Sequence, residues 1–403
     1  MTGQWGGRTS LFFSYTHLSH DLTTGLLVAL LPFIRQDFGL DYLQSGLLVS
    51  AFSLTSGVSQ LLGGWVGDRI SRKKAIALGL GGIGICATLL GLVPSYYQML
   101  PVLVAMGIFA GFYHPSAVST LTSHFEPKSR GRIIAMHMLG GSLGFGLGPV
   151  LGAVLASKLS WHLAFILLGI PAVVAAILVL TRLKLPPPIE HQEEAASSQA
   201  AGYKPTTVWG VFRTAAVIVG LSVPMQLITG PILSFTPLFL VDVHHLSAAA
   251  ASTWLTIIRI GGMAGSIFGG WLTDKWGRRR AIFLALILFG PVVLLISKLP
   301  SGVFLAAAFV LFGWLMSMRE TTMQTYMMDS APPQLRATVF GIYFGFGQEG
   351  SSVIQPVAGN FMDMMGIASV YNTIAYASTA LSMLALLLAF QKNSIKEPIK
   401  TGA

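Results

Sequence analysis

The chain has 403 residues, is 53% hydrophobic and carries only 10% charged residues, against about 25% in a soluble domain. That is too little polar surface for a protein surrounded by water. The net charge is +10, but the bases are distributed in a way that excludes nucleic acid as a partner. Apolar runs of roughly 20 residues recur from end to end, each long enough to cross a hydrocarbon core of about 30 Å. Twelve are predicted, near 11–34, 43–67, 75–94, 97–122, 133–157, 162–181, 208–240, 249–272, 281–298, 302–328, 337–360 and 366–390. Every backbone group must be paired inside lipid, and these runs are too long and too uniformly apolar for barrel strands, so they are read as helices. The first run has no small-residue cleavage site and reads on as a full span.

The connections alternate in charge. Of 25 Lys and Arg, twenty lie before the first run, in or at the edges of alternate connections or in the tail; the opposite connections and their edges hold only Arg35, Lys158 and Lys298. This is the positive-inside pattern with both termini and the basic loops cytoplasmic. The basic balance is therefore a topology signal, and the expected setting is the cell membrane, crossed many times. Cys86 is the only cysteine, so no intrachain disulfide can form.

The chain repeats itself. GGWVGDRISRKK at 63–74 returns as GGWLTDKWGRRR at 269–280, an offset of 206. The same offset places Asp68 on Asp274, Arg69 on Lys275, Arg72 on Arg278, Pro127 on Pro333 and Arg130 on Arg336. Each unit has six spans, and an even number gives both the same orientation. The predicted organisation is a six-helix bundle at 1–181, a cytoplasmic linker at 182–206, a second bundle at 207–391 and a tail at 392–403. The linker carries Pro186-Pro187-Pro188, then Glu190, Glu193 and Glu194 among Ala, Ser and Gln, with little to bury. Parallel six-helix repeats describe two bundles that rock about a central site. Asp68, Arg69, Arg72, Arg130, Asp274, Lys275, Arg278 and Arg336 are the candidate gating residues, because an acid at a helix end can pair with a base or a helix N-terminus in one rocked state only.

Few ionisable groups fall within the spans, and each is a candidate for function. Asp21 lies about ten residues, or about 15 Å, into the first helix. His17 is one turn earlier on the same face. A carboxylate in this setting resists ionisation, while an imidazolium beside it favours it, so the pair could load and release protons. A neutral hydrogen bond that only joins helices is the rival reading. His20, adjacent to Asp21, is expected to face elsewhere. Glu349 is a second proton candidate, and Gln348, Ser352 and Gln355 run with it at helical spacing as a polar stripe that cannot face lipid. Arg259 stays charged and needs an anionic or multiply hydrogen-bonding partner. It is a candidate for meeting substrate, with Gln226, Gln348, Ser352 and Gln355. Arg319, Glu320 and His114 are assigned to gating or helix pairing. His137 and Arg132 are expected at the interface, while His124, His162, His191, His244 and His245 are given no role.

Three passages carry a resemblance. The doubled loop, a Gly, three residues, Asp, Arg or Lys and then a basic cluster, resembles the signature of the major facilitator superfamily, and Gly277 keeps a glycine that Ser71 replaces. GGSLGFGLGPVLG at 140–152, with Gly144, Gly148, Pro149 and Gly152, is similar to a motif of exporting antiporters in that superfamily; physically it is a glycine face that packs closely and bends at the proline. THLSHDL and GFYHPSA, with His17, Asp21, His114 and Pro115, are similar to passages in fosmidomycin-resistance-type efflux proteins.

The resemblance implies an all-α membrane protein with twelve transmembrane helices in two bundles related by pseudo-twofold symmetry. It implies a proton-coupled secondary transporter that works by alternating access and exports a small anionic or antibiotic-like molecule. Proton-coupled uptake of an organic anion is the alternative. An integral membrane enzyme is the rival of another class, yet no HExxH and no nucleotide-binding P-loop occurs in the sequence. The expected partners are a small-molecule substrate, protons and the bilayer, with no cofactor, no metal, no nucleic acid and a monomeric state.

Overall fold

The computed structural model describes residues 3–125, 127–183, 207, 209–210, 212, 216–330, 343 and 350–390. The longer helices among these are α1 (Gly3–Thr24), α2 (Leu26–Phe38), α3 (Tyr42–Ile70), α4 (Arg72–Leu90), α5 (Tyr96–His124), α6 (Pro127–Lys158) and α7 (Trp161–Arg182). The second half supplies α8 (Ala216–Asp242), α9 (Ala248–Trp276), α10 (Arg278–Lys298), α11 (Val303–Ser330), α12 (Gly350–Met365) and α13 (Ile367–Phe390). No strand occurs among the described residues. Among the described residues, eleven stretches are long and apolar enough to cross a membrane, α1 and α2 together forming the first, Thr9–Phe38. The span expected at 337–360 lies mostly outside the described residues.

Local chemistry sets the ends. Asp41 caps α3, its carboxylate accepting from the Gln44 amide at 2.6 Å while the Gln44 side chain accepts from the Asp41 amide at 3.1 Å, a reciprocal capping box. Ser160 caps α7 through the Leu163 amide at 3.1 Å. The first predicted span breaks in two at Gly25. The predicted fifth span started at residue 133, whereas α6 starts at Pro127. The difference moves everything on α6 more than a turn deeper into the helix.

The described residues form two compact units. The first runs through the first six spans and takes in Ser234–Thr256 and Gln355–Asp363. The second comprises the rest of the second half. Within the first unit, Phe13, Ile76, Leu80, Tyr113, Ala117, Ile133, Ala175 and Val179 pack together and join α1 to α4–α7. Within the second, Leu272, Ala281, Ala285 and Met318 join α9, α10 and α11. Large apolar side chains such as Leu61, Ile177, Ile267 and Leu387 remain more than half exposed, as a lipid-facing surface requires.

Helices α1 and α6 approach with little between them. A Cβ on Gly144 would sit 2.5 Å from the Leu18 carbonyl oxygen and 2.8 Å from the Leu22 nitrogen. Further along the same face, a Cβ on Gly148 would meet the Leu22 carbonyl at 3.0 Å, and one on Gly152 the Leu26 side chain at 3.0 Å. Pro149 lies inside the same helix. The glycine face therefore sets the depth at which α6 meets α1, and that depth is where Asp21 sits.

Candidate functional site

Helix α1 carries Thr16, His17, His20 and Asp21, all buried. His17 and Asp21 are one turn apart on one face, and His17 Nε2 lies 3.2 Å from Asp21 Oδ2. His20 was expected to face elsewhere. Instead the Asp21 carboxylate reaches back along the helix, and Oδ1 lies 2.7 Å from His20 Nδ1. Each carboxylate oxygen thus meets its own imidazole.

The far side of each ring faces a backbone carbonyl. His17 Nδ1 lies 2.9 Å from the His137 carbonyl oxygen, and His20 Nε2 lies 3.4 Å from that of Ala110. A carbonyl only accepts, so His17 Nδ1 donates at 2.9 Å, while the shorter contact of His20 is the one its Nδ1 makes to Asp21. The orientation of both rings is fixed by α5 and α6.

Two other histidines differ from expectation in their placement. His114 of α5 was assigned, with Arg319 and Glu320, to gating or helix pairing. The structure sets it beside Asp21, with Nε2 at 3.9 Å from Oδ1 and its side chain one-third exposed. Its ring makes edge contacts with those of His17 and His20 at 5.1 and 4.6 Å. His137 was expected at the interface. It is fully buried, on the face of α6 that packs against α1. Its ring stacks on His17 at 4.2 Å, and its Nδ1 donates to the Phe13 carbonyl at 3.1 Å. Its Nε2 is buried with no hydrogen-bond partner among the described residues.

Tyr113 completes the wall. Its ring stacks on His20 at 4.7 Å. Its hydroxyl lies 2.8 Å from Thr16 Oγ1, which itself donates to the Phe13 carbonyl at 2.9 Å, so Tyr113 donates to Thr16. Gly141 leaves room for all of this. A Cβ there would lie 2.5 Å from His17 Nε2 and 2.6 Å from Asp21 Oδ2. His17, Asp21 and His114 each offer a ligand atom within 4.8 Å of the others, a grouping that would also admit a cation. The hydrogen bonds to Asp21 already account for the approach of the two α1 histidines.

A second polar cluster lies at the opposite end of the first unit from the loop at Arg69. Asp242, at the end of α8, takes a hydrogen bond and ion pair from Arg35 and a 2.5 Å hydrogen bond from the Tyr42 hydroxyl. The Arg35 guanidinium lies 4.2 Å over the Tyr42 ring and its Nε donates to the Leu40 carbonyl at 3.1 Å. Asp363 of α12 accepts from the Tyr42 and Leu43 amides at 2.9 Å each, at the positive start of α3. Ser252 of α9 donates to the Ala29 carbonyl. None of these pairs was predicted. The one available sequence signal was that Arg35 is among only three bases on its side.

In the second unit, Arg319 is buried and is held by Gln226, whose Oε1 accepts from Nη2 at 2.7 Å, and by the Ser222 carbonyl at 3.2 Å. Gln226, expected to touch substrate, is thus engaged by an arginine assigned to gating. Arg259 on α9 and Glu320 on α11 are partly buried. Ser352 and Gln355 are buried on α12. At the loops, Arg72 donates to Ser123 Oγ at 2.8 Å, and Lys275 lies over the Trp271 ring at 4.9 Å. Arg69 and Asp274 are exposed and Arg278 is partly buried. Gln348, Glu349 and Arg336, with the side chains of Asp68 and Arg130, lie outside the described residues.

Comparison with known proteins places these features in context. Residues 13–356 and 245–399 match the family described as Major Facilitator Superfamily. The fosmidomycin resistance protein of Escherichia coli (strain K12) is 24% identical over 94% of this chain and 91% of its own length. The gallate transporter of Pseudomonas putida is 23% identical over 79% of this chain and 77% of its own. Among solved structures, a bacterial homolog of the human lysosomal transporter Spinster superposes with a TM-score of 0.75 at 17% identity, covering 96% of each chain.

Proposed function

This chain belongs to the Major Facilitator Superfamily and is a multi-pass membrane protein of a class that carries out secondary transport, and from that premise we propose that it is a proton-coupled exporter of a small organic anion. The observation that carries the proposal is the carboxylate of Asp21, buried in α1 with an imidazole on each oxygen. A carboxylate in a membrane interior is costly unless it is paired or protonated. A group whose cost depends on its protons is suited to couple proton movement to a change of conformation.

Alternating access needs a closure that can be made and broken. Arg35, Tyr42 and Asp242 supply one at the end of the bundle read as external, since the ion pair joins α2 to α8. The doubled basic loops with Asp68 and Asp274 are read as its counterpart on the cytoplasmic side. Export is favoured by the relative whose name records fosmidomycin resistance. An anionic substrate is favoured by the two membrane arginines, Arg259 and Arg319, and by the gallate transporter among the relatives. In this reading the outward-open state takes up protons at Asp21 as it releases substrate.

Proteoliposomes with an imposed pH gradient test the proposal. Fosmidomycin and gallate serve as first probes, within a panel of organic anions and neutral analogues. Gradient-driven, saturable flux of an anion is the expected result. Flux that is indifferent to the pH gradient would remove the coupling, and flux confined to neutral analogues would remove the substrate class.

A further inference from the structure

We infer that Arg319 is the subsite for the charged group of the substrate, a carboxylate or phosphonate held by Nε and Nη2 of its guanidinium, and that Gln226 keeps this place until the anion displaces it. This rests on the reading of the substrate as an organic anion, and adds to it the atoms that hold the charge.

Arg319 lies on α11 and is 2% exposed. A guanidinium keeps its charge in any protein setting, and a charge within the membrane calls for an opposite charge or full hydrogen bonding. Arg319 has neither in full. Its hydrogen-bond partners among the described residues are the Ser222 carbonyl, which accepts from Nη1 at 3.2 Å, the Gln226 side chain, which accepts from Nη2 at 2.7 Å, and the Tyr343 hydroxyl. All three are neutral. Nε is buried with no hydrogen-bond partner among the described residues. Phe289 covers the group, its ring centre 6.0 Å from the guanidinium carbon. Glu320 follows on α11, but its side chain leaves the helix about 100° away.

The positions left open are specific. In a guanidinium, Nε–H and one Nη2–H point the same way and form a two-donor fork that matches the two oxygens of a carboxylate or phosphonate. In Arg319 one prong of that fork is unfilled and the other meets a single amide oxygen. Arginine has only donors, so Gln226 presents its oxygen to Nη2 whichever way its amide is assigned. Displacing that one oxygen frees the whole fork. The Ser222 carbonyl, on Nη1, keeps the guanidinium oriented meanwhile. The exchange replaces one neutral acceptor by two charged ones.

Access lies on the same side. The bond to Ser222 is buried, whereas the bond to Gln226 is only partly so, and Gln226 itself is partly exposed. An arginine kept only to tie α8 to α11 has no use for an empty buried donor, which costs stability. One that receives an anion needs it.

Calorimetric titration of the purified protein in detergent tests this with gallate, its neutral amide and fosmidomycin. Wild type should bind gallate at least about thirtyfold tighter than the amide, as two charge-assisted hydrogen bonds imply. Arg319→Gln should bring the two within about threefold and weaken fosmidomycin at least about thirtyfold. Arg319→Lys, which keeps the charge but loses the fork, should recover only part of the preference. Gln226→Ala should tighten gallate binding about threefold to tenfold by removing the internal competitor, and should leave the amide unchanged. A purely structural bond between Gln226 and Arg319 predicts the opposite sign, with weaker binding of both ligands. Weaker gallate binding by Gln226→Ala would overturn the inference, as would an Arg319→Gln protein with the wild-type preference, or a wild type that binds neither gallate nor fosmidomycin. Should Arg319→Gln not fold, the sign of the Gln226→Ala effect decides alone. The titration needs no gradient. Gallate binding that depends on Arg319 without gradient-driven flux would remove the coupling and leave the subsite standing, whereas gradient-driven anion flux by Arg319→Gln at the wild-type KM would do the reverse.

Discussion

Ser71 and Gly277, 206 residues apart, hold the same backbone conformation. Ser71 has φ 81° and ψ 138°, and Gly277 has φ 85° and ψ 151°. Each stands at the junction of the second and third spans of its half, Ser71 between α3 and α4 and Gly277 between α9 and α10. The conformation is close to free for glycine and costs a side-chain-bearing residue of order 1–3 kcal/mol. Ser71 recovers a little as the cap of α4, through a long 3.4 Å contact to the Lys74 amide.

Ser71→Gly should therefore stabilise the protein by about 1 kcal/mol, since a glycine cap loses only a few tenths against serine. Gly277→Ala should destabilise by about 1–2 kcal/mol. Thermal unfolding in detergent checks both, and a lower midpoint for Ser71→Gly would show that the serine is retained for a contact rather than tolerated.

The α1–α6 contact gives a paired prediction. Gly144→Ala places a methyl 2.5 Å from the Leu18 carbonyl, and overpacking of this kind costs about 1–3 kcal/mol. It should also abolish transport, because α6 holds His17 through the His137 carbonyl. Gly146→Ala, on the same helix with nothing within 4 Å of the added carbon, should be close to neutral in both. Equal effects of the two substitutions would detach the glycine face from the site.

The cluster at Asp242 makes a prediction about access. Asp242→Ala leaves Arg35 and Tyr42 without their shared acceptor. The pair is about one-quarter exposed, so the expected loss is only about 1 kcal/mol. Hydrogen exchange of peptides covering 35–45 should rise about fivefold, with α4 and α7 unchanged. No change in exchange would make the ion pair incidental to closure.

Orientation is checked by labelling in a Cys86→Ser background, Cys86 being buried. A cysteine at Ser301 should react with an impermeant reagent from outside intact cells, and one at Lys275 only after permeabilisation. Both positions are exposed in the structure. The opposite pattern would invert the topology drawn from the twenty-to-three division of bases.

Much of this architecture was legible in the sequence for simple reasons. Apolar length fixes spans, an exact 206-residue offset reveals the repeat, and the spacing of four between His17 and Asp21 places them on one helix face. The misses have equally specific causes. His20 was set aside because adjacent residues point about 100° apart on a helix, but a carboxylate with two oxygens can face two directions. His137 was placed at the interface because it is near the start of the apolar run, which does not report that its side chain packs against Phe13 and His17 of α1. His114 joined the cluster through the packing of α5 against α1. Arg35 and Asp242 are 207 residues apart, and no local pattern reports such a pairing.

The central claim is that protons enter the transport cycle at Asp21, and one comparison tests it most directly. Proteoliposomes containing wild type or Asp21→Asn are loaded with the organic anion that wild type transports best, and proton movement is recorded alongside anion flux. Wild type should concentrate the anion against its gradient with proton counter-movement. Asp21→Asn should lose both while still exchanging labelled for unlabelled anion. An Asp21→Asn protein that still concentrates the anion with the wild-type proton flux would contradict the account.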